Sequence, residues 1–563
     1  MALDTDVRIA RQARMRPILE IAADLGLPAA AVEQHGPYKA KIRLDVLPTL
    51  GPPRAKIVVV TAMTPTPLGE GKTVNTIGLA LGLNRIGKRT VCCLRQPSLG
   101  PFFGVKGGAA GGGRSQVLPM DEINLRLTGD IDAVASAHNL LASLVDNHIF
   151  HGDRLGLDPD AITWTRCVDM NDRALRSIRV SVGGKHERAT QFDIAVASEA
   201  MAILALATSY KDLRERLGRI IVGRTRSGAP VNAEDLKAAG AMAVLLRDAF
   251  KPNLLQTIEN TPALIHAGPF GNIAHGNSSV VADQIAARCS DFLVTESGFG
   301  ADLGFEKFID IKCRASGLTP SAAMIVATIR ACKLHGGDYN VKAGRPLPKE
   351  LLRENVGAVE RGGANLAHMI GIVKRAGLPA VVAINRFPDD TDREIEAVRL
   401  AAKQAGAAGV ELIEAYARGG EGAVDIARAV AAACEIPSAP RPFYDVKKPI
   451  REKIETIARD VYGADGVDYS PRAVEEIDRY TRWGLAELPI CMAKSQLSIS
   501  HDPKLRGVPT GFRVPIQQVR ASAGAGFLYP LLGDIMTMPG LPSEPASEHM
   551  DIDSDGNLIG LTK

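Results

Sequence analysis

Long uncharged apolar runs are missing from this 563-residue sequence: none reaches the roughly 18 to 20 residues that a helix needs to cross a bilayer. A membrane-spanning role is therefore not expected. Charge of one sign is also missing in bulk. The 67 basic and 63 acidic residues nearly cancel to a formal +4, and no long run of either sign occurs. Nucleic-acid and membrane-surface partners usually meet a clustered basic face, so neither is expected. The eight cysteines (Cys92, Cys93, Cys167, Cys289, Cys313, Cys332, Cys434, Cys491) contain no C-x-x-C pair. That excludes zinc ribbons and thioredoxin-like redox sites, and scattered thiols suit a reducing compartment. The opening residues, MALDTDVRIARQARMRP, hold no apolar core of signal-peptide length, and Asp4 and Asp6 do not suit a transit peptide. A cytoplasmic protein is the expectation.

What is present is enough chain for about three to four domains, with 46% hydrophobic residues to fill their cores. AKIVVVTAMT (55–64) is a β-branched run followed at once by the glycine-rich TPLGEGKT (66–73). A helical pattern, VNTIGLALGLNRIGK, comes next, with Gly87 at its expected stop, and then the strand-like RTVCCLRQ (89–96). Strand, loop, helix, strand is a βαβ unit, and such units build parallel sheets whose ligands bind beyond the carboxyl ends of the strands. Gly69, Gly71, Lys72, Thr73 and Arg95 all fall at that edge. Further short apolar runs end in polar or glycine-rich residues at 218–223, 291–300, 379–387 and 409–416. Helical patterns lie between them, including 235–250 and 319–334. Ser470, Pro471 and Gly484 mark the start and stop of another helix. The fold class is α/β, and ACEIPSAPRPF (433–443) is the most linker-like stretch.

TPLGEGKT differs from the phosphate-loop pattern G-x-x-x-x-G-K-[ST] at one place, Thr66 in the position of the first glycine. Backbone N–H groups at a helix start favour a phosphate; Lys72 would neutralise the outer phosphates and the Thr73 hydroxyl would take Mg²⁺. GVKGGAAGGGRSQV (104–117) cannot form a packed element from its own side chains. It is either a tether or a surface where backbone approaches another group closely, and Lys106 and Arg114 flank it. DIDSDGNLIGLT (551–562) starts like a calcium loop but has Thr562 where the bidentate glutamate belongs, so it reads as an Asp-Gly turn. His266 and His275 have no carboxylate or thiol at ligand spacing, and His335 reads as a structural cap at a helix end.

Taken in order, these segments resemble the formate–tetrahydrofolate ligase family over nearly the whole chain. PTPLGEGKT (65–73) looks like that family's ATP loop, GVKGGAAGGG (104–113) like its glycine signature, and VATIRACKLHGG (326–337) like a second signature. DMNDRALR (169–176), TESGFGADLGFEKFIDIKCR (295–314), LPICMAKSQ (488–496), SAGAGF and IMTMPGLP (522–542) are similar too. The resemblance implies ATP-driven ligation of formate to tetrahydrofolate through formyl phosphate, with Mg²⁺, activation by a monovalent cation (K⁺ or NH₄⁺), and a homotetramer. It implies a P-loop-type parallel-sheet nucleotide domain (1–125 and 245–370), a second α/β domain (126–244) and a third (371–563) contributing to the folate site. ATP would lie on Thr66, Pro67, Leu68, Gly69, Glu70, Gly71, Lys72 and Thr73. Arg95, with Lys72, would grip the transferred phosphoryl group, where a guanidinium fork suits phosphate oxygens. Phe387 and Tyr416 correspond to two aromatics that sandwich the pterin, and Asp130 to an acidic residue implicated in folate binding.

The sequence departs from the family at Gln96 for glutamate, Arg114 for tyrosine, Arg126 for histidine, Tyr416 for tryptophan and Asn277 for cysteine. Gln96, Arg114 and Arg126 make the expected acyl-phosphate region, to which Lys106 also belongs, more positive. The resemblance therefore leaves open a ligase for another small acid, or a silent folate- or nucleotide-binding homologue. A partner-stimulated P-loop ATPase would instead leave the glycine stretch and the downstream segments without a purpose.

Overall fold

The computed structural model of the chain describes residues 5–104, 110–182, 187–337, 339, 341, 347–533 and 535–561. Its centre is one large sheet. Ten strands form its main path: β1 (Val32–Gln34), β2 (Ala40–Ile42), β3 (Lys56–Ala62), β4 (Thr90–Leu94), β5 (Asn253–Thr257), β6 (Pro262–Ile265), β7 (Phe292–Glu296), β8 (Ala322–Ala327), β9 (Ala380–Asn385) and β10 (Gly409–Ile413). They lie in the order β1-β2-β5-β6-β4-β7-β3-β8-β9-β10. From β6 to β10 every neighbouring pair is parallel; β1, β2, β5 and β6 pair antiparallel. Two short strands, Gly111–Gly112 and Ser115–Leu118, hang from β5.

The parallel strands read as unbroken apolar runs because both faces are covered. In β3, Ile57 and Val59 enter one core while Val58 and Val60 enter the other, as the period of two requires. Helices α1 (Lys72–Arg85) and α4 (Val424–Ala433) supply Ile77, Leu79 and Ile426 to the second core. Helix α3 (Val356–Arg375) supplies Val359, Leu366 and Met369 to the first. Helix α2 (Asp130–Phe150) belongs to the segment between β4 and β5, which also carries small two-stranded sheets of its own. Beyond β10 the chain adds helix α5 (Pro471–Arg482). It is capped as the sequence indicates, with the Ser470 hydroxyl accepting from Ala473 N at 3.0 Å and Gly484 at φ +76°.

Two sequence expectations change. The helical pattern over 319–334 is strand β8 followed by a helix over Ile329–Gly336. SAAMIVAT is apolar on every side because β8 is buried on both faces, and such a run does not distinguish strand from helix. The pattern over 235–250 yields a helix over Ala239–Leu246 only, after a turn with Lys237 at φ +55°. The expected boundary after residue 370 is crossed by the sheet, since β9 and β10 continue it from β8. The acidic run 551–559 is a hairpin whose turn is fixed by Asp553 accepting from Asp555 and Asn557 N–H groups at 3.0 and 2.7 Å. Among the described residues, no helix is long and apolar enough to cross a membrane.

Candidate active site

The loop between β3 and α1 is braced by side chains. The Thr66 hydroxyl donates to Glu70 Oε1 at 2.9 Å and accepts from Leu68 N at 3.2 Å, and Thr66 N donates to the same Glu70 oxygen at 2.8 Å. A glycine here would have no hydroxyl to do this, which gives the departure at Thr66 a structural purpose. Glu70 Oε2 accepts from the Thr328 hydroxyl at 2.6 Å, just past β8, and its carbonyl accepts from Asn385 Nδ2 at 3.2 Å, at the end of β9. Burial pushes the Glu70 carboxyl above its ordinary range, while the bonds from Thr328 and Thr66 pull it down. Gly69 and Gly71 lie at φ +76° and +68°. A Cβ on Gly71 would stand 2.7 Å from Asn385 Nδ2. Gly71→Ala combines that clash with a left-handed backbone worth about 1–2 kcal/mol of strain. Its KM for ATP should rise roughly 10-fold or more, and steady-state kinetics with an unchanged circular dichroism spectrum checks this.

Next to the loop, three strands converge. The Thr73 hydroxyl donates to Glu296 Oε2 at 2.6 Å, and Arg95 lies 3.7 Å from the other Glu296 oxygen. Glu296 is the last residue of β7, which lies between β3 and β4. Arg95 follows β4; its Nη1 reaches the Pro269 carbonyl at a long 3.4 Å, and its buried Nε has no partner among the described residues. The fork is held in place but its donors are not saturated. Lys72 Nζ donates to the carbonyl of Phe299 at 2.9 Å, and Phe299 sits at φ +59°, an unusual backbone for an aromatic residue. Gln96 is buried, with its side-chain oxygen unpartnered among the described residues.

Phe387 and Tyr416 follow β9 and β10 at the same edge, so both stand at strand ends as the sequence indicates. The Arg330 guanidinium lies 4.1 Å from the Phe387 ring centroid. Tyr416 is 49% exposed, and its hydroxyl donates to Asp6 at 2.9 Å. The glycine run packs on it: a Cβ on Gly113 would fall 2.1 Å from the Tyr416 carbonyl, and one on Gly112 would lie 3.1 Å from its ring. Over 110–113 the run is thus a surface of close backbone approach. Lys106 lies outside the described residues.

Other positions lie apart. Asp130 is buried, with Oδ1 on Lys41 Nζ at 2.7 Å and Oδ2 on Asn253 Nδ2 at 2.7 Å, so its carboxylate is already engaged. Arg114 is exposed and donates its N–H to the Tyr416 carbonyl at 2.8 Å. Five strand spacings separate β4 from β10, about 24 Å at 4.8 Å each. Arg114 therefore belongs with Tyr416 rather than with Arg95. Arg126 is 74% exposed, 3.9 Å from Asp132. Of the described residues grouped in the acyl-phosphate region, only Gln96 is adjacent to Arg95.

His266 and His335 are structural in their contacts, while His275 is buried with neither ring nitrogen partnered among the described residues. His266 is buried between the Ser279 hydroxyl at 2.7 Å and the Ala249 carbonyl at 2.7 Å. His335 joins the Thr64 carbonyl at 2.9 Å to Gly507 N, bracketing the exit of β3. Burial holds both His138 and His266 down at about 4. Below their ordinary 6.5 the unfolded chain binds protons that the folded one refuses, so stability is fully present above pH 6.5 and is lost as the pH falls toward 4. Each contributes about 3 kcal/mol to this loss. Urea unfolding of the wild type and His266→Asn between pH 7.5 and 4.5 should give converging midpoints; parallel curves would contradict the assignment.

Glu296, Thr328, Asn385 and the Phe299 carbonyl were not singled out in the sequence. The first three share a weak signal, a polar residue closing an apolar strand. The carbonyl has none.

A parallel sheet bearing a glycine loop, a lysine in the first helical turn and a hydroxyl–carboxylate–arginine row at its strand ends is the arrangement of α/β nucleotide-binding enzymes. The sequence matches the family model described as formate–tetrahydrofolate ligase over residues 4–562. It is 59% identical over 564 residues to the formate–tetrahydrofolate ligase of Roseiflexus sp. (strain RS-1), covering 99% of this chain and 100% of that one. The corresponding protein of Desulforamulus reducens is 56% identical over 99% of both chains, and that of Saccharopolyspora erythraea 54% over 100% of both. The chain belongs to the formate–tetrahydrofolate ligase family and is an ATP-dependent ligase.

Proposed function

We propose that this chain joins formate to tetrahydrofolate at the expense of ATP, giving 10-formyltetrahydrofolate, ADP and phosphate, with formyl phosphate as intermediate. Family membership at 54–59% identity over full length supports the overall reaction. The observation that carries the mechanism is the row Thr73–Glu296–Arg95 beside Lys72, four polar side chains from three adjacent strand ends.

Formate is a poor acyl donor because oxide cannot leave. A formate oxygen attacks the γ-phosphorus, the bond to the β–γ bridging oxygen breaks, and ADP departs. The folate amine then adds to the formyl carbon, loses its proton, and phosphate leaves. Lys72 and the backbone at the start of α1 hold the phosphates. The unsaturated Arg95 fork takes the oxygens whose charge is shared as the phosphoryl group moves. Thr73 Oγ1 and Glu296 Oε2, 2.6 Å apart, are the oxygen donors that suit Mg²⁺, which when bound neutralises phosphate charge. The flat ring lies toward Phe387 and Tyr416, on the opposite flank of the loop from Arg95. Asp130, held by Lys41 of β2 and Asn253 of β5, stands toward the other end of the sheet from these two rings, so a folate role for it rests on the family resemblance.

A monovalent cation, K⁺ or NH₄⁺, a homotetramer and a cytoplasmic location belong to this reading on the strength of the family resemblance; the eight free cysteines support the last. So does the division into a nucleotide unit (1–125, 245–370), a second unit (126–244) and a folate-contributing unit (371–563) whose first two strands are built into the shared sheet.

The test is ADP release with Mg²⁺-ATP, potassium, formate and tetrahydrofolate, each omitted in turn. ADP that needs both formate and folate, matched by formyl-folate, is expected. Equal ADP without formate, or turnover with acetate at the formate rate, would overturn the assignment of formate as the acid.

A further inference from the structure

Only two tryptophans occur in the whole chain, and aromatic residues make up 4% of it. Both tryptophans, Trp164 and Trp483, line one cavity of about 580 Å³. Trp164 comes from the segment between β4 and β5 and Trp483 from the end of α5. The volume falls in the range of small-molecule sites. None of Lys72, Arg95, Glu296, Phe387 or Tyr416 lines it.

Five arginines and four carboxylates line the same cavity. Arg472 is paired with Glu476 at 2.9 Å, and Arg479 with Glu475. Arg176, Arg224 and Arg520 pair with no carboxylate among the described residues; Arg176 donates to the Met538 carbonyl at 2.9 Å, and Arg520 lies against the Tyr529 hydroxyl. Three of the carboxylates are engaged. Asp193 accepts from Thr165 at 2.6 Å, Glu476 from Val519 N at 2.7 Å, and Glu199 from Gly524 N at 2.7 Å. Burial pushes Glu199 up to about 7, which further reduces the negative charge at neutral pH. The cavity therefore offers guanidinium forks in surplus beside the two indoles, of which Trp164 is stacked on His138 by one face, ring centroids 4.2 Å apart.

We propose that this cavity is a second binding site, distinct from the catalytic edge, for a small flat aromatic acid, its carboxylate or phosphate held by Arg224 and Arg520 and its ring by Trp164 and Trp483. A guanidinium fork takes either acid group, and rings stack on the indoles.

The paired location of the only tryptophans makes the test direct. The intact enzyme, with its nucleotide site filled by saturating Mg²⁺-ADP, is titrated with phenylacetate, phenyl phosphate and, as an uncharged control, benzyl alcohol, reading tryptophan emission and heat. A saturable change with at least one acid and none with the alcohol is expected, and the responding acid tells carboxylate from phosphate. Arg224→Ala/Arg520→Ala should raise the Kd at least roughly 10-fold while leaving ligase turnover within about twofold. Arg224→Gln/Arg520→Gln carries the same comparison if the alanine pair folds poorly. No saturable response to either acid, an equal response to the alcohol, or a Kd unchanged in the double variants would each overturn the site.

Discussion

Arg95→Ala should lower kcat by about 10²–10³, the effect of deleting one preorganised donor aimed at transition-state charge, which is about 2.7–4 kcal/mol. The melting temperature should barely move. Arg95 sits at a strand exit, its side chain 25% exposed, with contacts at 3.4 and 3.7 Å that hold it loosely. Contacts that long add little to folding. Loose holding in the ligand-free chain leaves the fork's donors for the phosphoryl oxygens, so the loss falls on the reaction. ATP affinity by calorimetry should stay within a few-fold, because Lys72 and the loop remain. A kcat within threefold of wild type would remove Arg95 from the mechanism.

Glu296→Gln should be the second most damaging change, and for a different reason. The amide keeps the volume, and its oxygen still accepts from Thr73, so the strand end and loop stay in place. What disappears is the negative charge between Thr73 and Arg95. Two consequences follow: the Mg²⁺ concentration giving half-maximal rate rises, and kcat/KM for ATP falls by roughly 10²-fold, the upper range for groups that orient or ligate a metal. The melting temperature should remain near that of wild type. Rate measurements across Mg²⁺ concentrations separate this from simple misfolding. A variant with wild-type Mg²⁺ dependence would show that Glu296 serves only to hold Thr73.

The difference between these two residues also shows what was legible in the sequence. Arg95 and Lys72 are local signals. Arg95 directly follows β4, and Lys72 opens the helix after the glycine loop that leaves β3; both strands read as apolar from their own residues, so the carboxyl-end rule places both side chains at the working edge. Glu296 also closes an apolar strand, but its role depends on β7 being inserted between β3 and β4, more than 190 residues later in the chain. No local pattern records that insertion. β8 reads as helix for a related reason, since burial on both faces erases the alternation that separates strand from helix. Phe387 and Tyr416 were identified through resemblance, and the structure adds the close packing of Gly112 and Gly113 on Tyr416. Asp130 is a parallel case. The resemblance ties it to folate, and the structure adds what no local pattern records, the hold of Lys41 and Asn253, distant in sequence, on its carboxylate.

The sheet's passage across residue 370 has a consequence for how such a chain can be inherited or rebuilt. β9 and β10 bring Asn385, Phe387 and Tyr416 to the edge and are laddered onto β8, so they are not a separable cassette. A crossover with a relative at residue 370 would have to match a strand register and the Glu70–Asn385 brace at once. A crossover within residues 437–443, after the last strand of the sheet, breaks no ladder bond of it. Chimaeras joined there should keep the whole catalytic edge from one parent while exchanging the C-terminal wall of the tryptophan-lined cavity from the other.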